Sequence, residues 1–67
     1  MISEYKKRAI EKRDQLQERI VRSIAFIDSD FFESVDESQQ DLLREQVKVM
    51  SEYLAILNRR LNDIQFL

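Results

Sequence analysis

The sequence predicts an all-α protein, an antiparallel two-helix hairpin that associates with itself into a helical bundle. Three observations lead there. The 67 residues contain no glycine and no proline, and 36% of them are charged, a composition that removes the strongest breakers of helices. From Leu43 to Ile64 an apolar residue recurs at alternating four- and three-residue steps: Leu43, Val47, Met50, Leu54, Leu57, Leu61 and Ile64. With about 3.6 residues per turn, that spacing holds one narrow seam against a partner along the whole helix. A second row runs beside it through Leu42, Gln46, Val49, Tyr53, Ile56, Arg60 and Leu67. Two seams on one helix call for two packing neighbours, and so short a chain supplies only one of them. The other is expected to be a second copy.

The first helix is expected over about residues 3–28. Ser3 stands as N-cap with Glu4 placed well for the helix dipole, and Tyr5, Ala9, Leu16, Ile20, Ile24 and Ile27 share one face. Arg13 interrupts that face. Ile10 and Val21 form a weaker flank, read as the match of the doubled seam on the second helix. The opposite side is polar, with Glu4 and Arg8, Glu18 and Arg22, and Gln15 and Arg19 at the four-residue spacing that supports an exposed helix.

Asp28 to Val35, reading DSDFFESV, breaks the periodicity, because Asp and Ser side chains compete for backbone hydrogen bonds. Phe31 and Phe32, with Phe26, are expected to plug the closed end. The second helix, about residues 36–65, has two candidate capping boxes, Ser34 with Glu37 and Asp36 with Gln39, of which Asp36 leaves Val35 outside to pack on the core. A short connection between long helices makes an antiparallel pair. Facing residue numbers should sum to roughly 66, so that Leu16 meets Met50, Ala9 meets Leu57, Tyr5 meets Leu61 and Arg13 lies beside Tyr53. The whole chain, residues 1–67, is one domain near the size at which a single core barely suffices, and no cysteine or zinc-type ligand set is present to staple it. A dimer forming a four-helix bundle is the first expectation and a higher ring the second.

Composition also restricts function. With no histidine, cysteine, Gly-rich phosphate loop or nucleophile elbow, the chain is expected not to be an enzyme and to need no cofactor. Glu33, Asp36, Glu37 and Asp41 read as capping and solubility residues. Asp28 and Asp30 open like a calcium loop, but Phe32 and Glu33 stand where that loop needs a ligand and a glycine. No metal site is expected. No apolar run approaches a membrane span, and the start of the chain is charged where a signal peptide is apolar, so a cytoplasmic protein is expected.

Charge is unevenly spread along the chain. Residues 1–27 sum to +3, 28–45 to −6 and 46–67 to +1. Folding into a hairpin gathers Tyr5, Lys6, Lys12 and Arg13, with Lys7 and Arg8 near them, at the same end as Arg59 and Arg60. Cations around a ring suit phosphates and a stacked base, against the plainer reading of a solvated surface. Duplex DNA is not expected, since the net charge is −2 and no helix-turn-helix spacing occurs. Gln46 and Arg60 in the second seam either set the register or lie at its exposed margin.

The pattern Leu16, Arg19, Ile20, Phe26-Ile27, Ser29, a Phe, Gln39 or Gln40, Leu42-Leu43, Gln46, Met50, Tyr53, Ile56-Leu57 and Arg60-Leu61 resembles small helical-hairpin proteins of tailed phages and prophages. This chain departs from them in having Asp36-Glu37 where they often carry proline. The resemblance implies a phage origin and action in the bacterial cytosol, and it assigns no activity. The expected function is therefore that of a homo-oligomeric interaction protein binding a host or phage macromolecule, including one that inhibits a host defence. The alternative is a sponge that sequesters cyclic nucleotide signals of bacterial immunity, by likeness of architecture to other small helical phage oligomers.

Overall fold

The computed structural model describes residues 4–64, with side chains through Asp63. Helix α1 (Glu4–Ile27) leads through a 3₁₀ turn (Asp30–Ser34) into α2 (Glu37–Ile64), and the two helices lie antiparallel in a rod of 48 × 16 × 13 Å. The expected hairpin and its helix boundaries to within about two residues are present in the described segment.

The first seam of α2 packs against α1 as the heptad spacing demands. Leu57 and Leu61 are buried, with Leu57 only 2% exposed, and Leu43, Val47, Met50 and Leu54 are half-buried. The side chain of Ile64 lies outside the described residues. From α1, Ile20 is buried and Ala9, Leu16 and Ile27 are half-buried. Tyr5 and Ile24, expected on the same stripe, are exposed, because a lone pair of helices covers a narrower arc than the roughly 100° over which those residues spread.

The second seam is uncovered. Leu42, Val49 and Ile56 are each more than half exposed, and Gln46 and Arg60 in the same row are exposed as well. Leu67 falls outside the described residues. On α1, Val21 is exposed as well, but it does not continue this seam. Lys12 touches Tyr53, and Val21 stands nine residues beyond Lys12, which is about half a turn around the helix. The two weak seams thus lie on opposite edges of the hairpin, a correction to their expected match.

The closed end shows why this sequence turns without glycine. Hydroxyls of Ser29 and Ser34 donate to the carbonyls of Phe26 and Phe31, each at 2.6 Å, and so occupy oxygens that a continuing helix would use. Phe32 is the plug: it is 4% exposed, meets Phe26 edge to face at 5.9 Å and carries the Arg44 guanidinium over its ring at 5.0 Å. Phe31, expected to share that role, is 77% exposed, since adjacent residues of a tight turn point to different sides. Asp36 precedes α2, its carbonyl accepting from the Gln40 N–H at 2.9 Å and its carboxylate accepting from the Ser38 hydroxyl at 2.9 Å. The tie back to the turn is made by Gln40, not Gln39. Its side-chain amide donates to the carbonyls of Phe32 at 2.8 Å and Val35 at 3.0 Å.

Candidate functional site at the open end

Two contacts across the helices set the register at the open end. The Arg60 guanidinium donates to the Tyr5 hydroxyl oxygen at 2.7 Å, and the Lys12 ammonium lies 5.7 Å from the centre of the Tyr53 ring. In both pairs the residue numbers sum to about 65, one short of the expected register. That single residue is enough to change the cation on Tyr53. Neighbours on a helix point about 100° apart, so Lys12 takes the ring that Arg13 was expected to occupy. Arg13 instead turns to the adjacent Asp14, 3.0 Å away, while its stem stays half-buried against the apolar face.

Between the helices, Tyr5, Arg8, Ala9, Lys12, Leu57 and Arg60 line a cavity of about 210 Å³. A second cavity of about 210 Å³ continues along the same groove and is lined by Lys12, Gln15, Leu16, Arg19 and Tyr53. Lys12 belongs to both. The floor of the first is Ala9 and Leu57, set there by the core seam, and its rim is an aromatic ring with three cations. Each cavity therefore pairs a tyrosine with basic groups beside an apolar surface.

The electrostatics of the rim are uneven. Arg8 is partly neutralised by Glu4 at 3.3 Å, an exposed pair of the expected helical spacing. Arg60 and Lys12 have a phenol oxygen and a ring as partners, and among the described residues neither has a carboxylate within ion-pair distance. A cation held by neutral groups keeps its charge available to an arriving anion.

Of the six residues singled out at this end, the structure brings Tyr5, Lys12 and Arg60 together. Lys6, Arg13 and Arg59 line neither cavity. Lys6 is half-buried and Arg59 exposed. Arg8, gathered at this end by the hairpin but placed on the polar side of α1 and not singled out, lines the cavity as well. Its place could have been found from spacing alone, since Tyr5, Arg8 and Lys12 follow a three-then-four step along one edge of α1. Arg19 and Tyr53, in the second cavity, extend that edge. The described residues contain no cluster of acidic groups suited to a metal ion, and no described helix is long and apolar enough to cross a membrane.

No curated protein and no solved structure matches the chain. A family model does: residues 3–63 match Sequestin, which takes in both helices, the turn and every residue that lines the two cavities. The chain belongs to the Sequestin family.

Proposed function

We propose that this protein is a non-enzymatic sequestering protein of phage type, whose open-end groove takes a small phosphorylated nucleotide, cyclic nucleotides of bacterial immunity being the class that fits its role. One observation carries the reading: Lys12 and Arg60, uncompensated by carboxylates, stand with Tyr5 around an apolar floor. A nucleotide offers a face to stack on the phenol ring and phosphates to meet the two cations. Each cavity is smaller than the roughly 300–1,000 Å³ of a typical ligand pocket. A ligand would therefore span both, with Lys12, which lines each of them, at their junction. The family's name speaks of sequestering, which is compatible with this reading, and the absence of histidine and cysteine from the chain supports capture without chemistry.

Calorimetric titration of the full chain with a panel of cyclic di- and trinucleotides tests it. Binding should weaken steeply with salt, since exposed cations are screened over a Debye length of about 8 Å at physiological ionic strength. Tyr5→Ala should lose about 1–3 kcal/mol of stacking while the helical signal persists. An absence of heat or thermal shift at millimolar nucleotide would overturn the proposal. A second reading, binding of a host or phage macromolecule, draws on the uncovered apolar row of α2.

A further inference from the structure

We infer that the uncovered row on α2 is the seat of a second copy of this chain, and that the two copies lie antiparallel with the pair of Val49 residues at the two-fold axis. Leu42, Val49 and Ile56 are spaced by sevens and are between 52% and 56% exposed. They form a straight apolar stripe about 21 Å long. An isologous contact repeats one patch on both partners. With the axis at Val49, Leu42 of one copy meets Ile56 of the other, and all three apolar pairs form at once. Within the uncovered row, an axis placed elsewhere leaves at least one of the three opposite a polar residue or beyond the end of α2.

The area agrees with an interface of that kind. The chain exposes 5640 Å² for a mass of 8.1 kDa, whereas a compact monomer of that mass exposes about 4,500 Å². The excess of this elongated rod, doubled, comes to about 2,300 Å², which is enough surface for a permanent homodimer at the lower end of its range. Charge selects the direction. The closed end of the hairpin, within residues 28–45, carries a formal −6, while the open end holds Arg59, Arg60 and the basic start of α1. Parallel copies would set the two acidic ends together. Antiparallel copies set each acidic end beside a basic one, so that Arg60 lies level with Ser38 of the partner copy. Because Leu42, Val49 and Ile56 line neither cavity, the inference stands apart from the nucleotide reading.

The chain has no cysteine, so introduced thiols report without background. Sedimentation equilibrium of the full chain at about 100 μM should give twice the chain mass. Under mild oxidation, Val49→Cys should form a disulfide dimer by itself, because a residue at the axis meets its own copy within disulfide reach. Leu42→Cys alone and Ile56→Cys alone should stay uncrosslinked, and a mixture of the two should give the mixed dimer. Val21→Cys, on the opposite edge, should stay uncrosslinked as the control. A folded monomer by sedimentation and circular dichroism overturns the inference. So does self-crosslinking of Leu42→Cys and of Ile56→Cys, which marks parallel copies, and so does a dimer crosslinked through Val21→Cys.

Discussion

Replacing Leu57 by alanine should be the most costly single truncation in the helix pair, and its magnitude follows from the position of the residue. Leu57 is 2% exposed and sits where the core seam meets the floor of the first cavity. Removing a fully buried leucine side chain costs about 2–5 kcal/mol, the larger values applying where the surroundings cannot collapse into the space. Here a cavity already adjoins the site, so the truncation enlarges a space that the neighbouring side chains leave unfilled, which favours the upper half of that range. A domain of this size has a total stability of about 3–10 kcal/mol. The variant should therefore lose a large share of it, and since 1 kcal/mol moves the melting temperature of a small domain by about 4–8 °C, the midpoint should fall by more than 10 °C. Urea unfolding followed by far-ultraviolet circular dichroism measures this at a fixed protein concentration, with Val21→Ala as the exposed control, expected within about 0.5 kcal/mol of the parent. If Leu57→Ala costs less than about 1 kcal/mol, or no more than Val21→Ala, the seam has been misplaced and the argument from heptad spacing to core fails.

The closed end yields three more expectations. Phe32→Ala should cost about 3–5 kcal/mol, because it removes the buried plug together with its contacts to Phe26 and Arg44. Phe31→Ala, at a residue 77% exposed, should stay within about 0.5 kcal/mol, and equal costs for the two in chemical denaturation would contradict the assignment of the plug. Gln40→Leu keeps the size of the side chain but takes the side-chain donor from the carbonyls of Val35 and of Phe32, the latter keeping the Val35 N–H; a loss of about 1–3 kcal/mol is expected by the same assay, against little change for Gln39→Leu.

The elements of the fold were legible because two signals agree along the chain. The heptad of α2 and the absence of glycine and proline both indicate long helices, and the cluster of Asp, Ser and Phe between them marks the turn by chemistry that a script of breakers would miss. Side-chain roles in the turn were less legible. Phe31 and Phe32 are identical as letters, and only the path of the 3₁₀ backbone separates the buried ring from the exposed one. Gln39 and Gln40 present the same problem one turn later.

The site was legible as a neighbourhood and not as a set. Hairpin topology was enough to bring Tyr5, Lys12 and Arg60 to one end. An error of one residue in register was enough to exchange Arg13 for Lys12 on Tyr53, since each residue turns the side chain by about 100°. The four-residue spacing already gave Arg8 a carboxylate in Glu4, but it could not set Lys12 and Arg60 apart from Arg13, whose contact with the adjacent Asp14 depends on which rotamers the packed helices allow. The order of the two functional readings changed for the same reason. A macromolecular partner follows most directly from the doubled seam, whereas two cation-lined cavities, one beside Tyr5 and one beside Tyr53, suit the proposed small anionic ligand.

Nitrogen-15 correlation spectra of the labelled full chain, recorded through a titration with a cyclic dinucleotide, test the central claim most directly. The amides of residues 5–19 on the edge of α1 that carries Tyr5, Arg8, Lys12 and Arg19, and those of residues 53–60 on α2, should shift progressively, while the closed end from Asp28 to Gln40 stays in place. Shifts confined to the closed end, or none at millimolar nucleotide, would contradict it.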